Sequence, residues 1–137
     1  MKIGMDLDGT IDRPAVADLC RALIAAGHDV HIITGVFKES GDWQGIEAKR
    51  EKLTRRGISF VENAEHRSEF SLVNPAVLHV LDAVGPEFDR DYRLADLGLR
   101  KGALCEKLDL TLFIDDSLTY CEMIPKMSGG TVVLHVR

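Results

Sequence analysis

Short apolar segments alternate with segments of helical period over the first half of the chain. A buried strand is indicated at residues 2–5, a helix begins at Pro14, and a β-branched run follows at 30–33. A charged helix is predicted at 43–56 and a third strand at 58–61. Strands that are connected by helices form parallel sheets covered on both faces. The alternation therefore predicts an α/β fold, a Rossmann-like three-layer domain with a mostly parallel sheet.

The second half of the chain continues the pattern after one interruption. Helices are predicted at about 101–108 and 117–127, with strands at 110–114 and 131–136. Residues 63–99 are polar and rich in turn formers, and only 75–84 has a helical pattern. Because 137 residues is the usual size of one domain, we predict a single domain over 1–137. Residues 63–99 are expected to form a small insertion in it.

Composition and charge exclude several classes of protein. Hydrophobic residues make up 45% and charged residues 28%, which excludes a disordered chain, a collagen-like repeat and a membrane bundle. A formal charge of -5 argues against nonspecific nucleic-acid binding. Three cysteines without a C-x-x-C pair indicate neither disulfides nor a zinc site. We expect a cytoplasmic protein with no membrane partner.

Polar residues follow the predicted strands where each strand ends. Asp6 and Asp8 follow the first strand, Thr34 and Gly35 the second, and Asp115 and Asp116 the strand at 110–114, while Lys101 begins the helix before that strand. In open parallel sheets the ligand site lies beyond these strand ends. Two carboxylates about 4 Å apart repel by roughly 4 kcal/mol at an effective dielectric of about 20, so the cluster requires a cation. An all-oxygen set without His or Cys predicts Mg²⁺.

Simpler interpretations apply to some of the same residues. The D-x-D-G string does not fit an EF-hand, because positions six and twelve of such a loop would be Ile11 and Ala17. Asp12 is expected to cap the first helix. Five basic residues near the end of the second helix are expected to form a solvated face, since Glu47 and Glu51 allow ordinary pairing along the helix: Lys49, Arg50, Lys52, Arg55 and Arg56.

The polar motifs resemble those of the haloacid dehalogenase (HAD)-like hydrolase superfamily, phosphatase type. The first motif of that family, D-x-D-G-T, is similar to residues 6–10, and the second, a strand ending in Thr and Gly, is similar to 31–35. The acidic pair at Asp115 is similar to the fourth motif. The third is a lone Lys, which we place at Lys101 with Lys107 as the alternative.

The resemblance implies an Mg²⁺-dependent phosphomonoester hydrolase that acts through an aspartyl phosphate. Asp6 would be the nucleophile, and Asp8 the general acid and base. The metal ligands would be Asp6, the Asp8 main-chain carbonyl, Asp115 and Asp116. Thr34, Gly35 and Lys101 would hold the phosphoryl oxygens, and Lys101 would also stabilise the charge of the transition state.

The substrate and the assembly stay open at this point. The expected substrate is a small phosphometabolite, a nucleotide or a polynucleotide end. Only residues 9–13 separate Asp8 from the first helix, so we expect an open site with little or no cap. The alternative function is a nonenzymatic phosphate- and metal-binding module or scaffold that retains the same fold. Monomer and homodimer are both compatible with the sequence.

Overall fold

The computed structural model describes residues 1–40, 45–69 and 74–137, which form an α/β fold around one parallel sheet. The strand order is β3-β4-β2-β1-β5-β6, and every pairing between neighbouring strands is parallel. The strands are β1 (Lys2–Met5), β2 (Asp29–Val36), β3 (Phe60–Val61), β4 (Ala76–Asp82), β5 (Leu112–Asp115) and β6 (Val132–His135). The helices are α1 (Pro14–Ala25), α2 (Ile46–Arg55), α3 (Arg90–Leu108) and α4 (Leu118–Met127).

The sheet separates two hydrophobic cores, so the predicted three-layer arrangement is confirmed. On one face α1 and α2 pack on the sheet, and on the other α3 and α4 do. The alternation of side chains along β2 supplies both cores, because Ile32 packs in the first and Ile33 in the second. Burial on both faces explains why apolar residues occupy both alternate sets of positions along this strand.

The centre of the sheet contains the point where the chain changes direction. From β1 the chain continues to β2 on one side, whereas from β5 it continues to β6 on the other. Met5 and Ile114 are aligned in the β1–β5 pairing, so both strands end at the same level. Open α/β sheets bind ligands in the crevice at such a point. The residues just after Met5 and Ile114 therefore lie where a site is expected.

Residues 75–84 form strand β4 instead of the predicted helix. The sequence Ala-Val-Leu-His-Val-Leu-Asp at Ala76–Asp82 is nearly continuous in apolar residues, and β4 pairs with β2 inside the sheet. A short buried strand and a buried helix cannot be distinguished by periodicity alone. As a consequence, the acidic pair follows the fifth strand of the sheet and not the fourth.

Helix boundaries also differ from those predicted. Helix α3 begins at Arg90, well before residue 101, because Asp89 caps it by accepting a hydrogen bond from the Tyr92 N–H at 2.8 Å. Asp12 does not cap α1, since that position belongs to Arg13. The first residues of the helix predicted at 43–56 lie outside the described residues.

Within the described ranges, no helix combines the length and the apolar character that crossing a membrane would require.

Candidate functional site

The turn after β1 brings polar groups together beyond the C-terminal ends of the central strands. The segment Leu7–Ile11 makes one tight turn in which Gly9 has a φ of 78°. A Cβ at Gly9 would lie 2.2 Å from Asp116 Oδ2, so glycine is required for both its conformation and its size. The turn is fixed at its start, where the Asp6 N–H donates to the Ile114 carbonyl at 2.9 Å.

Three carboxylates meet at the ends of β1 and β5. Asp6, Asp115 and Asp116 each offer one oxygen, and these oxygens lie within 4.8 Å of one another. Asp6 and Asp115 are buried, while Asp116 is half-buried. The Thr10 hydroxyl lies 3.3 Å from Asp6 Oδ2 and 3.2 Å from Asp116 Oδ1, and it accepts a hydrogen bond from the Asp116 N–H at 3.1 Å. The structure thus brings together three of the four predicted metal ligands through their side chains.

Lys101 is the buried cation of this cluster. Its Nζ lies 2.8 Å from Asp6 Oδ1 and 3.2 Å from Asp115 Oδ2, and its side chain is 0% exposed. The ammonium also lies 4.2 Å from the centre of the Tyr120 ring. Burial by itself would lower the pKa of Lys101, but the negative charges of Asp6 and Asp115 outweigh the effect of burial and raise the pKa of the ammonium. Lys107 is exposed on the same helix, so Lys101 is the lysine that contacts the carboxylates.

The electrostatics of the cluster favour an additional positive charge. Burial raises the pKa of Asp6 to about 8, against the opposing effect of Lys101 and with a further contribution from Asp115. Burial likewise raises the pKa of Asp115, although Lys101 and the Ser117 N–H, which donates to Asp115 Oδ1 at 2.9 Å, lower it. One ammonium does not compensate for this group of carboxylates. A proton on Asp6 or a bound cation would complete the balance.

Asp8 belongs to a different set of contacts, which the sequence interpretation missed. Lys52 Nζ lies 2.6 Å from Asp8 Oδ1, and Lys49 donates to Asp8 Oδ2. Burial alone would raise the pKa of Asp8, but hydrogen bonds from Lys49 and Lys52 hold that pKa below its usual value. Thr34 approaches the same carboxylate, with its hydroxyl 3.5 Å from Asp8 Oδ2.

The predicted solvated face of α2 is therefore wrong for Lys49 and Lys52. Lys49 is only 2% exposed, and Lys52 is partly buried. A signal was present in the sequence, because Ile46, Lys49 and Leu53 follow helical spacing and place the lysine on the apolar face. The long lysine stem packs in the interior while its ammonium reaches Asp8.

A crevice of about 260 Å³ lies over these groups. Asp6, Asp8 and Asp116 contribute carboxylates to its wall, and the remaining lining residues are Thr34, Gly35, Phe37, Arg90, Leu94, Lys101, Ser117 and Tyr120. Gly35 keeps β2 close to α3, since a Cβ there would lie 2.3 Å from Leu97 Cδ2. All seven residues predicted for the site lie in the crevice or directly beneath it.

The donor set suits a hard divalent cation. Asp6, Asp115 and Asp116 offer carboxylate oxygens, and the grouping of potential metal ligands found among the described residues contains no His or Cys. Mg²⁺ prefers oxygen ligands and retains positions for water or phosphate oxygens. Bound in this place, it would supply charge compensation for the buried carboxylates and a point of attachment for an anion.

Comparison with known proteins finds distant structural similarity alone. No protein-family model matches the sequence, and no curated protein matches it. A universal stress protein whose crystal structure is in complex with cAMP superposes with a TM-score of 0.49 at 8% identity, over 100% of this chain and 98% of that one. A protein of the universal stress protein family from Burkholderia pseudomallei gives a TM-score of 0.48 at 14% identity, over 98% of this chain and 94% of that one.

These findings do not bear out the family and the activity that the motifs implied. The comparisons do not support the predicted membership of the HAD-like superfamily, since no family model matches and the solved structures that match are universal stress proteins. They likewise give no support to the predicted phosphatase activity or to the alternative of a scaffold with the HAD-like fold. The catalytic roles of Asp6 and Asp8 stay predictions. A carboxylate motif at strand ends indicates a site, but it does not specify a reaction.

Proposed function

We propose that this chain binds a divalent cation, Mg²⁺ by its ligand chemistry, together with a small phosphorylated molecule in the crevice at the ends of β1, β2 and β5. The observation that carries the proposal is the cluster of three carboxylate oxygens within 4.8 Å of one another on Asp6, Asp115 and Asp116. Two of these carboxyls have raised pKa values because they are buried. A cation at this point would remove the cost of holding them ionised.

The neighbouring groups favour a phosphate as the second ligand. A bound divalent cation and Lys101 together balance the three carboxylates, and an anion entering the crevice meets the cation itself and the polar groups of Thr34 and Ser117. The Gly35 backbone leaves this part of the wall without a side chain, and Arg90 lines the same crevice. Phosphate oxygens are common ligands of protein-bound Mg²⁺, which keeps coordination positions open for them. The proposed ligand is therefore a phosphate monoester or a nucleotide.

Isothermal titration calorimetry with adenosine 5′-monophosphate as the probe tests the proposal. The wild-type protein should bind MgCl₂ alone, and it should bind the nucleotide at least about tenfold more tightly with Mg²⁺ than in EDTA, because the cation links the phosphate to the carboxylates. Asp115→Asn keeps the size of the side chain and removes one charge, so Mg²⁺ affinity should fall at least about tenfold.

Asp109→Asn is the matched control. Asp109 is exposed and follows α3 with a φ of 56°, a conformation that Asn also adopts readily. This variant should bind Mg²⁺ and nucleotide as the wild type does. Equal Mg²⁺ affinity in the two variants, with both folded by circular dichroism, would show that the carboxylate cluster is not the cation site. Nucleotide binding that is unaffected by EDTA would contradict the linkage between the two ligands.

A further inference from the structure

A second cavity, lined mostly by basic residues, lies beside the crevice. It has a volume of about 400 Å³ and is lined by Asp12, Lys52, Arg55 and Arg56. Three cations thus face one carboxylate. The cavity lies between the end of α2 and the turn that precedes α1. We refer to it as the basic pocket.

Two of the cations are held in place by neighbouring groups. Lys52 Nζ lies 3.2 Å from Asp12 Oδ2, and Arg56 donates to the Asp12 carbonyl. Asp12 is itself fixed, because its carboxylate accepts a hydrogen bond from the Gly9 N–H at 3.1 Å. The lining of the pocket is therefore connected to the turn that positions the carboxylate cluster.

Arg55 differs from the other two cations of the pocket. It is exposed, and it makes no hydrogen bond or ion pair with the part of the chain that the structure describes. Arg50, five residues earlier on α2, is instead paired with Glu47 and Glu62. An arginine that has no acidic partner among the described residues, next to two ordered cations, leaves a net positive charge that a ligand anion can neutralise.

The basic pocket and the crevice meet at one ion pair. Lys52 lines the pocket and Asp8 lines the crevice, and their charged atoms lie 2.6 Å apart. A ligand whose phosphate lies in the crevice would therefore have the pocket immediately beside it. A second anionic group on the same ligand could reach Arg55 and Arg56.

We propose that the basic pocket binds a second phosphate group, so that the preferred ligand is a small molecule that carries two phosphates. This inference rests on the proposed function for the position of the first phosphate. It concerns Lys52, Arg55 and Arg56, which the carboxylate cluster does not include.

Paired titrations test the inference at three separations between phosphates. The ligands with two phosphates, called bisphosphates below for brevity, are the diphosphate pyrophosphate, adenosine 3′,5′-bisphosphate and fructose 1,6-bisphosphate. Their monophosphate counterparts are inorganic phosphate, adenosine 5′-monophosphate and fructose 6-phosphate, all at the same free Mg²⁺ concentration. At least one bisphosphate should bind the wild type at least about tenfold more tightly than its monophosphate counterpart, because each charge-assisted contact of the second phosphate adds binding free energy.

Arg55→Gln and Arg50→Gln form a matched pair of variants. Both remove one positive charge from α2, but Arg50 is bound to two glutamates away from the pocket. Arg55→Gln should weaken binding of the preferred bisphosphate at least about fivefold and leave binding of its monophosphate unchanged. Arg50→Gln should change neither affinity, so an effect of net charge alone is distinguished from a contact in the pocket.

The outcomes separate this inference from the proposed function. Monophosphate binding with Mg²⁺, but no gain from a second phosphate at any separation, would overturn the inference and leave the proposed function standing. Bisphosphate binding that needs Arg55 but is the same in EDTA would support the pocket and contradict the proposed function. A preference for a 5′-phosphorylated oligonucleotide over all three bisphosphates would overturn the assignment to a small ligand. Equal losses of bisphosphate affinity in Arg55→Gln and Arg50→Gln would also overturn the inference.

Discussion

Replacing Lys101 by methionine should destabilise the protein strongly in the absence of divalent cations. The substitution keeps most of the volume that packs against Tyr120, but it removes the only ammonium that the described structure places between Asp6 and Asp115, at 2.8 and 3.2 Å. All three side chains are at least nine-tenths buried, so solvent screens them little. Breaking a buried ion pair in this way costs about 3–5 kcal/mol. We expect about 3 kcal/mol at pH 8, because protonation of Asp6 relieves part of the repulsion.

Urea denaturation in EDTA, followed by far-ultraviolet circular dichroism, measures this loss. Lys107→Met makes the same change at an exposed position of α3 and should stay within about 0.5 kcal/mol of the wild type. At pH 5 the loss in Lys101→Met should be smaller, since protons can then neutralise both carboxylates. A loss below about 1 kcal/mol at pH 8, or an equal loss at both pH values, would refute the interpretation of Lys101 as the counter-ion of the cluster.

Other predictions follow from the same groups. Because the pKa of Asp6 is raised from 3.8 to about 8, the folded state near neutral pH holds a proton that the unfolded state has lost. The free energy of unfolding in EDTA should therefore fall by about 2 kcal/mol between pH 6 and 8. Urea titrations should show this slope in the wild type but not in Asp6→Asn. Mg²⁺ must displace the same proton, so the affinity of the protein for Mg²⁺ should rise up to about tenfold per pH unit below pH 8. Calorimetry in buffers of different ionisation enthalpy should show the released proton. An Mg²⁺ affinity that is independent of pH would contradict this prediction. Gly9→Ala should lower the melting temperature more than Gly27→Ala does. Both glycines have positive φ, but a Cβ at Gly9 would meet Asp116, whereas a Cβ at Gly27 would meet nothing within 4 Å. Equal shifts would show that the close approach to Asp116 is relieved without cost.

The arrangement of the sheet could largely be predicted from residue periodicity. Strand β1 is a short segment that Asp6 follows directly, and β2 contains the β-branched residues Val30, Ile32 and Ile33. Helix α1 carries its buried residues at helical spacing from Pro14 onward. Residues that follow parallel strands meet at one edge of the sheet, which is why the site residues could be named in advance. The exception is β4, whose continuous apolar run at Ala76–Asp82 does not distinguish a buried strand from a helix.

Contacts between distant segments could not be predicted in the same way. Lys101 reaches Asp6 across 95 positions, and nothing local distinguishes it from Lys107 on the same helix. The pairing of Lys49 with Asp8 depends on how α2 packs against the turn after β1, and the charged composition of that helix suggested a solvated face. The family could not be inferred from short motifs either, because carboxylates at strand ends suit any cation site built from oxygen ligands.

Anomalous diffraction from crystals grown with Mn²⁺ tests the central claim most directly. Mn²⁺ accepts the same oxygen ligands as Mg²⁺ and gives a strong anomalous signal, so its position does not depend on interpretation of solvent density. We predict one main peak within about 2.3 Å of carboxylate oxygens of Asp6, Asp115 and Asp116, which is absent in Asp115→Asn crystals. A peak elsewhere with none at this cluster, or none at all at millimolar Mn²⁺, would contradict the account of the crevice as a cation-dependent phosphate site.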